Sequence, residues 1–179
     1  MTSPIKVAFL DRDGVINHDA GYTHKIEDFQ FINGVVDALR QLQSSGYQLI
    51  IVTNQSGIGR GYYSEEAYQV LTSAYLDKLA NYGVSVLDVF HCPHLPTDQC
   101  DCRKPLPGLF NQAARRYKID FPNSLMVGDK VSDMQAATAA NVPRSFLISS
   151  QNKCGSINKA DGYIYCRSLL DCVQTLIAR

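Results

Sequence analysis

The amino-acid sequence predicts an α/β protein built on a doubly wound parallel sheet, without a large cap domain. Short apolar runs alternate along the chain with stretches of helical periodicity, and this alternation is typical of βαβ units in a parallel sheet. No repeat, low-complexity tract or linker interrupts the alternation. We therefore expect a single domain over residues 1–179, with right-handed crossovers that place helices on both faces of the sheet.

The individual strands and helices are predicted from apolar content, spacing and capping residues. Residues 6–10 form a compact apolar run, which suits a strand buried on both faces. Val35, Leu39 and Leu42 recur at helical spacing, and Ser64 is a capping residue for a long helix. By these criteria the strands are 6–10, 47–53, 86–91, 124–127 and 144–148, and the helices are 34–45, 64–83, 107–117, 131–140 and 168–178.

Charge and hydropathy exclude several classes of protein. The 17 basic and 17 acidic side chains cancel, so no global field draws the chain to nucleic acid or to a membrane. The apolar run near the N-terminus is too short for a signal peptide, and no stretch reaches the length of a membrane span. We expect a cytoplasmic monomer that acts on a small molecule, with no nucleic-acid or membrane partner.

Two aspartates follow the first predicted strand in the sequence Asp11-Arg12-Asp13-Gly14. Carboxylates at i and i+2 can point into one cleft, where one attacks phosphorus and the other handles the leaving-group proton. Gly14 permits the tight turn that keeps Asp13 close. The alternative is a plain strand-end turn, in which Asp and Gly are common. An EF-hand loop is excluded, because Ile16 stands where that loop needs an oxygen ligand.

Two further segments carry groups that can bind phosphate. Thr53 and Asn54 open a loop, 53–61, whose glycines allow backbone amides to face an anion. Arg103 and Lys104 supply a forked donor and a point charge. A flexible polar loop and a solvated basic pair are the respective alternatives.

A fourth segment carries Asp129 and Asp133. Asp129 ends a predicted strand and could complete an oxygen cage for Mg²⁺. Asp133 could anchor a metal-bound water or orient Lys104, and simple helix capping explains it equally well. Asp11, Thr53 and Asp129 each follow an apolar strand, so they should meet at the edge of the sheet where parallel α/β proteins bind ligands.

A cysteine-rich loop, 92–102, contains Cys92, His94, Cys100 and Cys102. Three thiolates and one imidazole match a closed tetrahedral zinc site, which would hold the loop rigid rather than take part in catalysis. A coincidental group of cysteines and a redox pair within the loop are the alternatives. The other three cysteines are interpreted as ordinary core or surface residues: Cys154, Cys166 and Cys172.

The four motifs, in this order, resemble those of the haloacid dehalogenase superfamily of phosphohydrolases over essentially the whole chain. The resemblance implies that Asp11 is the nucleophile, that Asp13 is the general acid and then the general base, and that Thr53 and Lys104 stabilise the transferring group. It places Mg²⁺ between Asp11, the backbone carbonyl of Asp13, and Asp129. It also implies substrate contacts at Asp19, Ala20, Gly21, Tyr22, Asn54, Gln55, Ser56, Arg103 and Lys130.

Within the superfamily the chain resembles two groups that carry a zinc loop. Segments 18–24 and 28–34 are similar to the D,D-heptose 1,7-bisphosphate phosphatases, whereas the short loop 92–105 looks more like the histidinol-phosphate phosphatases. The first group implies removal of the 7-phosphate during synthesis of nucleotide-activated heptose for lipopolysaccharide core or surface glycans. The second implies a role in histidine biosynthesis. For a bisphosphate, the distal phosphate is expected near the Arg103–Lys104 pair or near Lys130.

Two interpretations from other classes remain. A receiver-like signalling domain would also be phosphorylated on a strand-end aspartate, but it would need neither Asp13 as an acid nor a zinc loop. A small zinc-binding interaction module would explain the loop, which is however a small part of the chain and lies within the α/β pattern.

Overall fold

Six parallel strands form the sheet of the computed structural model, which describes residues 3–149 and 162–178. The strands are β1 (Val7–Leu10), β2 (Gln48–Asn54), β3 (Val86–Cys92), β4 (Leu125–Gly128), β5 (Arg144–Ile148) and β6 (Ile164–Cys166). Their order across the sheet is β3-β2-β1-β4-β5-β6. The strand order reverses between β1 and β4, which is the point where open parallel sheets bind ligands.

Helices connect these strands. They are α1 (Val35–Ser44), α2 (Ser56–Gly59), α3 (Glu65–Asn81), α4 (Gly108–Arg116), α5 (Val131–Ala139) and α6 (Leu169–Ile177), with short 3-10 turns at Ile26–Asp28 and Phe121–Asn123. The predicted start of α3 is confirmed, because the Ser64 hydroxyl accepts a hydrogen bond from the Ala67 backbone at 3.2 Å. This bond satisfies one of the free N–H groups at the start of the helix.

Two hydrophobic cores lie on opposite faces of the sheet, as expected for a doubly wound fold. One contains side chains of α1, α3 and α6, and the other contains side chains of α4 and α5. The central strand β1 contributes to both, with Ala8 and Leu10 on the first face and Val7 and Phe9 on the second. Burial on both faces explains why this strand has no polar residue.

The structure adds two elements that the sequence did not predict. β6 has only three residues, too few for a strand pattern to be recognised, and it forms by pairing with β5. α2 is a single turn in the glycine-containing loop after β2. Cys166 and Cys172 are buried in the core, as predicted, and Cys154 lies outside the described residues. Within the described ranges, no helix has the length and apolar content that crossing a membrane requires.

Candidate active site

Asp11 directly follows β1, and only 5% of its surface is exposed. Its backbone N–H donates to the Val127 carbonyl at 3.0 Å, which extends the contact between β1 and β4. Its Oδ1 accepts hydrogen bonds from the Arg12 backbone at 2.8 Å and from Lys104 Nζ at 3.0 Å. Burial raises the pKa of the Asp11 carboxyl, and the Lys104 cation opposes that rise. Both contacts use Oδ1, so Oδ2 keeps its lone pairs for a phosphorus atom or a cation.

Lys104 is a buried ammonium group that joins three segments of the chain. Its Nζ donates to the Val52 carbonyl at 2.7 Å and lies 2.6 Å from Asp133 Oδ1, in addition to its contact with Asp11. Burial lowers the pKa of Lys104, but the charges of Asp11 and Asp133 more than offset this, so the net shift is upward. Lys104 is therefore a fixed positive charge beside Asp11, the predicted nucleophile.

Three carboxylates meet around Asp11. Asp11, Asp129 and Asp133 each place one oxygen within 4.8 Å of the others. Asp129 Oδ1 is buried and has no hydrogen-bond partner within residues 3–149 and 162–178. Burial, and then the charge of Asp11, raise the pKa of Asp129 to about 7. Gly14 packs against the same carboxylate, since a Cβ on Gly14 would lie 2.5 Å from Asp129 Oδ2.

These oxygens fit a magnesium ion, which prefers carboxylates, carbonyls and water. Asp133 has both oxygens occupied, Oδ1 by Lys104 and Oδ2 by the backbone N–H of Lys130 at 3.0 Å. A cation would therefore be held chiefly by Asp11 and Asp129. Asp133 orients Lys104, which is one of the two roles predicted for it, and it also caps α5.

The carboxylate of Asp13 is held by hydrogen bonds from three side chains. Arg12 Nη2 lies 2.9 Å from each of the two oxygens, and Arg12 Nε lies 3.2 Å from Oδ1. Asn17 Nδ2 donates to Oδ1 at 2.9 Å, and Gln55 Nε2 donates to Oδ2 at 3.0 Å. Asp13 lines the cleft near Asp11, so its position suits the predicted proton donor and acceptor.

The first residues of the loop after β2 form hydrogen bonds that hold the other site residues in place. Gln55 is 3% exposed, and its amide is fully engaged with Asp13, Thr53 Oγ1 and the Tyr63 hydroxyl. Thr53 is buried as well. Asn54 exchanges hydrogen bonds with the backbone of Lys104. Gln55 and Asn54, predicted as substrate contacts, are thus in place to position Asp13 and Lys104.

A cleft of about 770 Å³ opens above these groups. No large cap covers it in the described part of the chain, and its walls come instead from four connecting segments, which follow β1, β2, β3 and β4. The predicted catalytic residues that line it are Asp13 and Lys104, and the predicted substrate contacts that line it are Asp19, Gly21, Tyr22, Asn54, Gln55, Ser56, Arg103 and Lys130. Ala20 is exposed but is not part of the lining. Lys130 Nζ lies 3.9 Å from both Asp19 and Asp129, whose charges, together with that of Asp11, outweigh burial and raise the pKa of Lys130.

The predicted zinc ligands also come together. One ligand atom each from Cys92, His94, Cys100 and Cys102 lies within 4.8 Å of the others. Cys92 Sγ is 3.8 Å from Cys100 Sγ and 3.5 Å from His94 Nδ1. A tetrahedral zinc ion with Zn–S bonds of 2.3 Å separates its sulfur ligands by about 3.8 Å. The four atoms therefore fit a closed tetrahedral site.

The cysteine–histidine cluster is joined to the loop after β2 by backbone hydrogen bonds. Gln55 N–H donates to the Cys92 carbonyl at 2.7 Å, and Gly59 N–H donates to the Pro93 carbonyl at 3.0 Å. A Cβ on Gly59 would lie 2.7 Å from the same Pro93 oxygen. The cluster thus braces both the loop after β2 and the segment that leads to Lys104.

Comparisons with known proteins identify the family of this chain. The family model of haloacid dehalogenase-like hydrolases matches residues 6–141. The chain belongs to the haloacid dehalogenase-like hydrolases. Its predicted family and fold class are thereby confirmed.

The relatives described here are named as heptose-1,7-bisphosphate phosphatases. The D-glycero-alpha-D-manno-heptose-1,7-bisphosphate 7-phosphatase of Photorhabdus laumondii is 51% identical over 151 residues, which cover 80% of this chain and 82% of that protein. The corresponding beta enzyme of Yersinia pestis is 43% identical over 186 residues, which cover 100% and 99%. A solved D,D-heptose 1.7-bisphosphate phosphatase from B. bronchiseptica, complexed with magnesium and phosphate, gives a TM-score of 0.85 at 31% identity and covers 97% of this chain and 99% of that one.

Sequence reasoning missed three residues of the hydrolase site: Arg12, Asn17 and Tyr63. Arg12 stands between the two aspartates, but its position in sequence does not tell whether it faces solvent. Asn17 and Tyr63 act through Asp13 and Gln55, and no local pattern links them. A fully buried charged residue, such as Arg12, marks a site of interest, but its burial can be recognised only in the folded structure.

Proposed function

We propose that this hydrolase is a magnesium-dependent phosphatase that removes the 7-phosphate of D-glycero-D-manno-heptose 1,7-bisphosphate. The observation that carries the chemistry is a buried carboxylate, Asp11, in contact with the buried ammonium of Lys104 at 3.0 Å. The substrate is supported by the names of the relatives, which include a protein aligned over the full chain. On this view the product serves the synthesis of nucleotide-activated heptose.

In the first step, the free oxygen of Asp11 attacks phosphorus and the bond from phosphorus to the sugar oxygen breaks. Lys104 and Thr53 stabilise the negative charge on the transferring group. Asp13 gives a proton to the departing alkoxide. The result is an aspartyl phosphate on Asp11 and a free sugar hydroxyl.

In the second step, Asp13 takes a proton from a water molecule, and this water attacks the phosphorus of the aspartyl phosphate. The bond between phosphorus and the Asp11 oxygen breaks, which restores the carboxylate and releases inorganic phosphate. Asp13 is then protonated again for the next cycle. One residue serves both steps because the leaving alkoxide and the attacking water occupy the same side of phosphorus.

Magnesium, when bound by Asp11, Asp129 and the backbone carbonyl of Asp13, would neutralise the repulsion between carboxylate and phosphate. Oδ1 of Asp129, which has no hydrogen-bond partner among the described residues, supports this assignment, since a buried carboxylate oxygen without a hydrogen bond is costly. Asp133 keeps Lys104 oriented during both steps.

The distal phosphate is assigned to Arg103 and Lys130 rather than to Lys104. Lys104 Nζ already contacts three oxygens and its side chain is 1% exposed, so it can serve only the transferring group. Arg103 and Lys130 both line the cleft. The Lys130 side chain is 59% exposed and its contacts with Asp19 and Asp129 are long, at 3.9 Å, so its ammonium can turn to meet a second phosphate at the entrance.

We further propose that the cysteine–histidine cluster holds structural Zn²⁺, since a closed set of four ligands leaves no position for a substrate. Thiolates that bind zinc must stay reduced, which supports the cytoplasm as the compartment. The single domain over 1–179 and the monomeric state stay predictions.

Histidinol phosphate is not favoured as the substrate, because the relatives described above carry heptose names. These names divide between the two anomers, so both anomers belong in the test. The experiment measures kcat/KM with Mg²⁺ for the alpha and beta heptose 1,7-bisphosphates, for heptose 7-phosphate and for histidinol phosphate. Phosphorus NMR then identifies which phosphate is released.

We expect at least one bisphosphate anomer to exceed histidinol phosphate by about tenfold or more and to lose its 7-phosphate, because a charged contact at a second phosphate contributes about 1.5–3 kcal/mol. A preference for histidinol phosphate would overturn the substrate assignment. Equal values for the bisphosphate and the 7-phosphate would remove the distal-phosphate role of Arg103 and Lys130 while leaving the phosphatase chemistry intact.

A further inference from the structure

Arg12 is fully buried, with 0% of its surface exposed, and it has no role in the chemistry described so far. Burying a guanidinium is costly unless it is paired and hydrogen-bonded. Its Nη2 contacts both oxygens of Asp13 at 2.9 Å and also donates to the Thr23 carbonyl at 2.9 Å. A buried charge placed between the two catalytic aspartates therefore has the second of them as its partner.

The charge of Arg12 is not shared with another carboxylate. Among the described residues, Asp13 is the one whose carboxylate forms an ion pair with the Arg12 guanidinium within 4.0 Å. On the side of α3 it interacts with the phenols of Tyr68 and Tyr75, and burial raises the pKa of Tyr75 to about 12, so this phenol is neutral. The attraction of the guanidinium is thus directed at one carboxylate.

The contacts also fix the rotation of the Asp13 side chain. Arg12 supplies three of the five hydrogen bonds that reach this carboxylate, and Asn17 and Gln55 supply one each. Rotation of the carboxylate about χ1 would break bonds on both oxygens at once. Two parallel bonds from one guanidinium add directional restraint that a lysine does not provide.

We propose that Arg12 is a positioning residue, which holds the Asp13 carboxylate in the orientation required for proton transfer to the leaving alkoxide and from the attacking water. This inference deepens the proposed function and rests on the role given there to Asp13. Arg12 touches neither the phosphoryl group nor the sugar in this assignment. Its effect must therefore disappear when Asp13 can no longer transfer a proton.

The test compares leaving groups. A sugar alkoxide needs protonation as it leaves, whereas the phenolate of an activated aryl phosphate, such as p-nitrophenyl phosphate, leaves without it. We expect Arg12→Met and Arg12→Lys to lower kcat/KM for the sugar phosphate by about tenfold to a thousandfold, within the range of general acid catalysis. The value for p-nitrophenyl phosphate should change by less than about threefold, well under that range. Arg115→Met, at an exposed arginine of α4, is the matched control and should change neither.

A double-mutant cycle removes the ambiguity of a folding defect. In the Asp13→Asn background, both members of the buried pair become neutral when Arg12→Met is added, which is better tolerated than leaving one charge unpaired. We expect the addition of Arg12→Met to Asp13→Asn to cost no further activity on the sugar phosphate. Two results would overturn the proposal. In the first, the loss of activity of the double variant equals the product of the losses of the two single variants. In the second, Arg12→Met alone lowers kcat/KM equally for the sugar phosphate and for p-nitrophenyl phosphate.

The same experiment separates this inference from the proposed function. If Asp13→Asn itself affects both leaving groups equally, the proton-transfer role of Asp13 fails, and the assignment of Arg12 fails with it. If the preferred sugar phosphate is not the heptose bisphosphate, the comparison is made with the preferred one, and the assignment of Arg12 stands or falls independently of the substrate.

Discussion

The side-chain amide of Asn54 and the backbone of Lys104 exchange two hydrogen bonds of 3.1 Å each, although fifty residues separate them in the sequence. Asn54 Nδ2 donates to the Lys104 carbonyl, and the Lys104 N–H donates to Asn54 Oδ1. This pair of bonds links the end of β2 to the segment that follows the cysteine–histidine cluster. It fixes the backbone from which the Lys104 ammonium reaches Asp11.

Replacing Asn54 should therefore affect both stability and catalysis. Two partly buried hydrogen bonds contribute about 1–3 kcal/mol together, and we expect Asn54→Ala to lower the free energy of unfolding by that amount. Because Lys104 is then less well placed, kcat should fall by about tenfold or more, as seen when one charge-stabilising donor is disturbed. Urea unfolding and steady-state kinetics provide the measurements. Asn111→Ala, at an exposed position of α4, should leave both quantities unchanged; a normal kcat for Asn54→Ala would contradict the linkage.

Removing the nucleophile should abolish turnover. Asp11→Asn keeps the shape of the side chain but loses the attacking oxygen anion, so no aspartyl phosphate should form.

Asp13→Asn should retain the nucleophile and lower the rate by about 10²–10⁴-fold, because only proton transfer is lost. Rapid-quench trapping of phosphorylated protein distinguishes the two variants. Detection of phosphorylated protein in the Asp11→Asn variant would show that another residue is the nucleophile.

Gly14 provides a steric test of the metal site. Gly14 has φ of 79° and Gly83 has φ of 75°, and only at Gly14 would a Cβ meet a neighbour, Asp129 Oδ2 at 2.5 Å. Both Gly→Ala changes carry the cost of a left-handed conformation, about 1–2 kcal/mol. Gly14→Ala should in addition displace Asp129 and weaken Mg²⁺ binding, as measured by calorimetric titration. Equal Mg²⁺ affinities in the two variants would show that the close approach has no bearing on the ion.

The zinc cluster should be needed for a stable loop. Cys100→Ser removes one ligand and should reduce the zinc content well below one ion per chain, since three protein ligands form an open site. Cys172→Ala, in the hydrophobic core, is the matched cysteine control and should retain zinc. Metal analysis by mass spectrometry and thermal unfolding give the two readouts. If wild-type protein without zinc unfolds at the same temperature as wild-type protein with zinc, the structural role is excluded.

The pKa of Asp129 predicts how the stability of the metal-free protein depends on pH. Folding raises this pKa from 3.8 to about 7, so between these values the folded state binds a proton that the unfolded state has lost. The contribution to stability is therefore fully present below about pH 4 and is lost as the pH rises towards 7, by at most about 1.4 kcal/mol per pH unit. The Asp129→Asn variant should lack this contribution. Denaturant unfolding in EDTA between pH 5 and 8 measures the difference between the two proteins, and parallel curves would contradict the assigned shift.

Periodicity and local signals in the sequence determined five of the six described strands, five of the six described helices and the edge at which the site lies. The apolar run of β1 followed by Asp11, and the strand before Asp129, are contiguous in sequence, and parallel strands necessarily bring their carboxyl ends to one edge. The zinc cluster was predicted for a similar reason, because ligands a few residues apart can reach one ion without help from distant segments. These features depend on residues close together in the chain.

Tertiary structure alone decided which polar side chains are buried and what they contact. Arg12 looks like an ordinary polar residue in the sequence and Gln55 was predicted as a substrate contact, yet both are almost inaccessible and hold Asp13. The pairing of Asn54 with Lys104 likewise requires two segments fifty residues apart to meet. β6 escaped prediction because three residues form a strand only where a neighbouring edge, here β5, accepts their hydrogen bonds. Such contacts depend on distances through space, which hydrophobic periodicity does not encode.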